Sequence, residues 1–288
     1  MSAQPPTQPP TQPPARPPFA LLAVDLDGTL LRSDHTIGTE DWQALEWCGA
    51  QGIVRVAATG RSYFSAQRVL DERTPLDYLV FSCGAGVLRW SDRNLLHAQM
   101  FTPEQAQQIG ELLSSLGHAV MVHAAIPDNH IFWYTKGQDI QNLDLEARVA
   151  HYAEWVRGEV TSAAYTAPVT QFLVSLQCSE FDFEALCSRF APLAETIRSS
   201  SPFLPDYKWL ELFPRGVNKG AGVAWLAKNL GITDAQCRVV GNDYNDLSML
   251  ERFPQSYVVA NAPEALTERF RRVSDHNSGG VAEAINHA

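Results

Sequence analysis

Asp25 and Asp27 stand one residue apart at the end of the apolar run Leu21-Leu22-Ala23-Val24, with Gly28 and Thr29 directly after them. A short apolar run closed by a turn signal reads as a buried strand of a parallel sheet. In open α/β sheets, ligands bind outside the carboxyl ends of the strands. The two carboxylates therefore sit where chemistry takes place, and their charge requires a partner. Three further polar groups hold comparable positions: Thr59-Gly60-Arg61, Lys219, and the loop Gly241-Asn242-Asp243-Tyr244-Asn245-Asp246. If the strands beside them are parallel, all four groups converge on one edge, although the chain separates them widely.

Elements able to bring about that convergence are legible along the chain. A helix is expected from Thr39-Glu40-Asp41, capped by Thr39 and ended by Gly49 to Gly52. Ile53 to Ala58 and Tyr78 to Phe81 read as two more strands, with a helix carrying Phe64, Val69 and Leu70 between them. This order argues a parallel sheet with right-handed crossovers. The rhythm changes between Phe101 and Pro205. There a helix over Pro103 to Leu116, strands at Ala119 to His123, Ile131 to Thr135 and Phe172 to Leu176, and a helix over Phe183 to Phe190 suggest an α+β unit with an antiparallel sheet. The first rhythm resumes with a strand at Trp209 to Phe213, a helix from Lys219 to Leu230 and a strand at Arg238 to Val240. A helix at Leu247 to Phe253, a strand at Tyr257 to Val259 and a helix opened by Pro263 follow. The expected fold class is α/β: a Rossmann-like parallel-sheet core over 19–100 and 207–288, with an inserted α+β domain over 101–206.

The bulk composition narrows the partners. A chain of 288 residues suggests about two domains, and 45% hydrophobic residues suffice for sizeable cores. A formal net charge of -10 repels nucleic acid and anionic membranes, so neither is expected. A phosphate-bearing substrate would need a local cationic site against that field. The five cysteines are scattered without a C-x-x-C pair, which fits reduced thiols in the cytoplasm. The eight histidines show no metal-ligand spacing, and His118, His123 and His130 read as surface or cap residues. No apolar stretch approaches the ~18 residues of a spanning helix. Residues 1–18 are nearly all Pro, Gln, Thr and Ala, without a charged start and apolar segment, so they read as a disordered, polyproline-like tail and not a secretory signal.

Asp25-Leu26-Asp27-Gly28-Thr29 resembles the D-x-D-G-T signature of the haloacid dehalogenase superfamily of phosphohydrolases. Thr59-Gly60-Arg61, Lys219 and the loop from Gly241 to Asp246 resemble its other three motifs, in order. The insert resembles the mixed α/β cap of the Cof-type branch, as do Val258 to Glu264 and Gly279-Gly280-Val281-Ala282. The resemblance implies an enzyme, a phosphoric monoester hydrolase. Asp25 would attack phosphorus, and Asp27 would protonate the leaving oxygen and then activate water, help typically worth ~10²–10⁴-fold. Thr59, Gly60, Lys219 and Asn245 would bind the phosphoryl group. Two unit charges at 4 Å repel by ~4 kcal/mol at an effective dielectric near 20, so a divalent cation is needed, and oxygen ligands point to Mg²⁺. The family would place on it the Asp25 carboxylate, the Asp27 main-chain carbonyl and a side chain from Asn242, Asp243 or Asp246. Two positions depart from the branch: Asn242 stands where it usually has Asp, and Cys83 where it commonly has Asn.

The implied function is Mg²⁺-dependent hydrolysis of small phosphate esters, sugar phosphates or similar monoesters. A phosphomutase of the same superfamily and a catalytically weak sensor of phosphorylated ligands are the alternatives. Singly, each motif has a blander reading. Asp27-Gly28 could turn a hairpin, Thr59 to Ser62 could cap a helix, Lys219 could be a solvated helix lysine, and the Gly241 loop an Asx-rich turn. The stretch from Gly216 to Gly220 fails P-loop spacing, and Trp225 occupies the third-glycine place of a dinucleotide fingerprint after Gly220 and Gly222. Cys83 to Arg89 fits the C-x-x-G-x-x-R loop of cysteine phosphatases, but Val87 to Trp90 looks like strand where that loop should open a helix.

Overall fold

The computed structural model describes residues 18–138 and 141–287. The tail expected over 1–18 lies outside the described residues, apart from Pro18.

The chain builds two sheets. Five strands come first: β1 (Leu21–Val24), β2 (Val54–Ala58), β3 (Tyr78–Phe81), β4 (Gly86–Arg89) and β5 (Leu95–Ala98). Next come β6 (Val120–His123), β7 (Phe132–Thr135), β8 (Val156–Glu159), β9 (Gln171–Leu176), β10 (Glu195–Ser200) and β11 (Lys208–Phe213). The last three are β12 (Cys237–Gly241), β13 (Gln255–Val259) and β14 (Arg271–Val273). An eight-stranded sheet runs β14-β13-β12-β1-β2-β3-β4-β5, and a six-stranded sheet runs β10-β11-β9-β6-β7-β8.

In the first sheet β1 lies between β12 and β2, parallel to both, with Leu21 opposite Cys237 and Val54. Parallel strands are covered on both faces, so their side chains are apolar throughout. Leu22 and Val24 enter one core cluster, with Leu45 and Cys48 of the helix Thr39–Ala50 and Val281 and Ala284 of the helix Gly280–Asn286. Leu21 and Ala23 enter the other, with Val223 and Leu226 of the helix Lys219–Asn229 and Met249 and Leu250 of the helix Leu247–Arg252. Burial on both faces leaves the carboxyl end of β1 as the place where its polar residues emerge. β1 is thus no hairpin strand, and Asp27-Gly28 is not a hairpin turn.

Several local expectations change. Thr39 is the first residue of its helix; Gly38 holds the N-cap place and no side chain caps it. The helix expected around Phe64 to Leu70 shrinks to Tyr63–Ala66, capped by the Ser62 hydroxyl. Trp209 to Phe213 does not resume the parallel core. As β11 it runs antiparallel between β10 and β9, so the insert's sheet extends past the expected boundary at 206 to Phe213. The reason is its alternation. Leu210 and Leu212 pack with Phe172 and Val174 in the insert's core, while Trp209 and Glu211 point to the opposite face. A strand with one polar face belongs to an antiparallel sheet open on that side.

Close approach also fixes the helix that carries Lys219. A Cβ on Gly220 would collide with the main-chain carbonyl of Ser248, so only glycine lets the two helices touch here. Gly220→Ala is expected to cost about 1–3 kcal/mol, the usual range for overpacking. Thermal unfolding reads it: an unchanged midpoint would show that the helices separate freely.

Candidate active site

Asp25 leaves β1 directly above Lys219. The Lys219 Nζ donates to Asp25 Oδ1 at 2.7 Å, to Asp246 Oδ1 at 2.6 Å and to Asn245 Oδ1 at 3.3 Å. An ammonium has three N–H donors, so all of Lys219 is used. The other Asp25 oxygen accepts from the Thr29 hydroxyl at 3.2 Å. Lys219 and Asp246 have no exposed surface, and Asp25 is buried too. Burial and the neighbouring Asp246 charge push the Asp25 carboxyl up to about 7, against the pull of Lys219. For Lys219, burial alone would favour loss of the proton, but Asp246 and Asp25 outweigh it and hold the amine protonated.

Asp246 was a candidate metal ligand, and the structure gives it different work. Its Oδ2 accepts the main-chain N–H groups of Asn242 at 2.8 Å and Asp243 at 3.1 Å, while Oδ1 accepts Lys219. It is the buried counter-charge of the lysine and the tie that shapes the loop after β12. Asp243 spends one oxygen on the Tyr244 N–H, and its other accepts the Ser200 N–H of β10 at 3.4 Å. Asn242 is held against the β1 loop. A Cβ on Gly28, whose φ is +72°, would lie 2.5 Å from the Asn242 Nδ2.

Asp27 faces the second motif. Arg61 donates to it with both fork nitrogens, Nε at 2.7 Å and Nη2 at 2.6 Å. This bidentate pair was not foreseen in the sequence. Thr59 is buried, and its hydroxyl accepts the Arg61 N–H at 3.1 Å. A Cβ on Gly60 would sit 3.5 Å from both Asn245 Nδ2 and Cys83 Sγ. Such a methyl would fit without collision, so the bare backbone there leaves a small cradle open.

Cys83 is no phosphate-loop nucleophile. Burial, with Glu211 nearby, pushes its thiol well above the ordinary range, so no thiolate is available at neutral pH. Gly86–Arg89 is strand, and Arg89 pairs with Asp92 at 2.9 Å and not with any anion near Cys83.

These groups share a cavity of about 780 Å³ between the two sheets. Asp25, Asp27, Thr59, Gly60, Asn242, Asp243 and Asn245 line it from the eight-stranded side. His123, Asn129, Arg148, Gln171, Trp209 and Glu211 line it from the insert. None of the latter six was singled out for a functional role from the sequence. Gln171, Trp209 and Glu211 are the outward members of strands whose alternate residues form the insert's core, and that alternation was the signal available. His123, expected at the surface or in the cap, is 4% exposed. The Arg148 guanidinium lies over the Trp209 ring at 4.4 Å. Among the described residues no cluster of three His, Cys, Asp or Glu side chains is arranged to hold a metal.

Known proteins share this architecture. A family of haloacid dehalogenase-like hydrolases matches residues 22–285. A protein of Cronobacter sakazakii named HMP-PP phosphatase is 30% identical over 248 residues, spanning 85% of this chain and 86% of that one. A protein of the same name from Yersinia pseudotuberculosis is 27% identical over 278 residues, spanning 93% and 95%. Among solved structures, a haloacid dehalogenase-like hydrolase from B. subtilis superposes with a TM-score of 0.74 at 23% identity, covering 93% of this chain and 99% of its own. The phosphatase BT1666 from Bacteroides thetaiotaomicron gives 0.76 at 19% identity, covering 96% and 98%. With three of the four motifs lining one cavity, the fourth, Lys219, bonded to Asp25 behind it, and a family match over nearly the whole chain, the protein belongs to the haloacid dehalogenase-like hydrolases.

Proposed function

We propose that this protein is a Mg²⁺-dependent phosphatase of small phosphorylated metabolites, sugar phosphates or similar monoesters, acting through an aspartyl phosphate on Asp25. The observation that carries the reading is the 2.7 Å contact of Lys219 with Asp25, made across 194 residues of chain, at the edge of a cavity that Asp27 also lines. The relatives' name makes HMP-PP the first substrate to test.

In this reading the phosphoryl oxygens lie against the Thr59 hydroxyl, the Gly60 N–H and the Asn245 Nδ2 beside it. Arg61, already at the cavity, turns from Asp27 to the incoming anion and releases that carboxyl. Freed of Arg61, Asp27 takes up a proton from solvent; an Asp25 oxygen then attacks phosphorus in line, the bond to the ester oxygen breaks, and Asp27 passes that proton to the departing alcohol. Water then attacks the phosphorus, Asp27 takes its proton, and phosphate leaves with Asp25 regenerated. Lys219 holds the attacking carboxyl in place throughout. The insert covers the site and excludes bulk water.

The donors present suit a hard cation. The Asp25 carboxylate, the Asp27 main-chain carbonyl and the Asn242 amide oxygen are all oxygen ligands of the kind Mg²⁺ takes. Burial first, and then the Asp246 charge, raise the Asp25 pKa, so a cation at its free oxygen would favour the charged form. Bound at these oxygens, Mg²⁺ would neutralise carboxylate and phosphoryl charge together. Asn242 suits this place better than Asp243 or Asp246, whose oxygens are engaged elsewhere.

Phosphate release from p-nitrophenyl phosphate and HMP-PP tests the reading. Activity is expected with Mg²⁺, abolished by chelator and by Asp25→Asn, and largely kept in Cys83→Ser. Survival in chelator together with loss in Cys83→Ser would assign the reaction to the thiol. Dependence on a bisphosphate primer would indicate a mutase, and ligand-induced stabilisation without phosphate release a sensor. Gly60→Ala is expected to leave the thermal midpoint nearly unchanged while raising KM about tenfold or more, because its methyl fills the cradle. An unchanged KM would remove Gly60 from the phosphate site.

A further inference from the structure

Among the described residues, Arg148 is the one arginine or lysine of the insert that lines the cavity. It is half-buried. Its Nε is covered and has no partner. Its two terminal nitrogens are not closed off in this way, and no described residue accepts a hydrogen bond from them or forms an ion pair with them. Rings hold the group instead: beyond its contact with Trp209, its Cζ lies 5.5 Å from the centre of the Tyr152 ring. An arginine keeps its charge in proteins, and burial here works against that charge. A desolvated cation without a bonded counter-charge is costly.

The carboxylates near Arg148 do not fill that role. Asp144 accepts from the Ser175 hydroxyl at 2.7 Å, from Trp209 Nε1 at 2.6 Å and from the Ser201 hydroxyl. Glu211 accepts from Gln171 Nε2 at 2.9 Å and from the Ser199 hydroxyl. Both steady the Arg148 charge at range, but their oxygens are held by neutral donors. His123 adds no second cation. Its Nδ1 lies 2.8 Å from the Asn129 carbonyl, which only accepts, so the proton is on Nδ1. Burial, with Arg148 nearby, pushes the His123 pKa down to about 3, so the ring is neutral.

Tyr152 is a neighbour of both cavity guanidiniums, since it lies by Arg148 and also acts on Arg61. The two therefore face one space, Arg61 from the core beside Asp27 and Arg148 from the insert. We propose that Arg148 binds a second anionic group, phosphate or carboxylate, carried by the leaving half of the substrate. The inference rests on the phosphatase reading for which half lies here. Arg148 is then a specificity residue, whose terminal N–H groups match two oxygens of such an anion.

Equilibrium binding to Asp25→Asn, with Mg²⁺ in excess, tests it without turnover. Bisphosphates of ethanediol, butanediol and hexanediol are compared with the matching hydroxyalkyl monophosphates, and 3-phosphoglycerate with glycerol 3-phosphate. In at least one pair the doubly anionic member is expected to bind about tenfold tighter or more, against the repulsion of a chain with net charge -10. The pair that discriminates gives the spacing and the kind of anion. In the same background Arg148→Met, which keeps the apolar stem, brings the ratio close to one. Arg148→Lys lowers it severalfold but leaves it above one, because the charge remains without the planar fork. Equal affinities in all pairs, no measurable binding of any doubly anionic compound, or a ratio that survives in Arg148→Met overturns the proposal. Where the methionine variant does not fold, an unchanged ratio in Arg148→Lys overturns it. Failure of the phosphatase reading would show separately, as no phosphate release by the unmodified protein.

Discussion

Lys219 between Asp25 and Asp246 is the contact on which the rest of the structure depends. Three charges stripped of water are unstable unless each is bonded on every side. Here the lysine gives its three protons to three oxygens, and Asp246 takes two main-chain N–H groups besides. Removing one member of such a group typically costs about 3–5 kcal/mol, since it strands a buried charge. The contact therefore locks three distant pieces of chain: the end of β1, the start of the helix Lys219–Asn229 and the loop after β12. It also sets the direction of the Asp25 carboxyl without drawing on the cavity-lining residues of the second sheet.

The parts read correctly from the sequence are those whose signal is local. An apolar run closed by a turn signal announces a buried strand of a parallel sheet because both faces of such a strand are covered, and β1, β2 and β12, parallel to both their neighbours, follow this rule. The core motifs were likewise readable, since each stands at one strand end or helix start. Trp209 to Phe213 shows where local reading fails. Its neighbours β9 and β10 come earlier in the chain, and only their faces decide whether Glu211 points to a cavity or to solvent. Asp246 shows a second limit. Its residue type suits a metal ligand, but its hydrogen bonds to Lys219 and two backbone amides depend on a turn whose shape no single residue announces. His123 was hidden for a third reason, because burial and tautomer depend on Asn129 and Arg148 coming together in the fold.

The charge of the chain clarifies the division of labour between the two sheets. A net charge of -10 opposes any phosphate ester, so attraction must be local. On the core side Arg61 lies at the cavity, its fork on Asp27 and its Nη1 on the Ser65 hydroxyl and carbonyl. The pair is bidentate but opens to solvent on the carboxylate side, where its 46% exposed oxygens leave room for another anion beside it. Lys219 could not serve in that way, because its partners are buried and its release would be expensive. The two cations of the site thus differ: Arg61 pairs with Asp27 at the open cavity, and Lys219 is enclosed between Asp25 and Asp246.

The insert's wall sets two charged groups, Arg148 and Glu211, among polar and aromatic neighbours. Gln171 and Ser199 hold Glu211, while Trp209 donates its Nε1 to Asp144 at 2.6 Å and lies under Arg148. Each outward residue is fixed by a neighbour on the same sheet face, so the wall is rigid before any ligand arrives. The alternate residues Phe172, Val174, Leu210 and Leu212 keep the sheet packed on its other face, so the two faces carry separate duties.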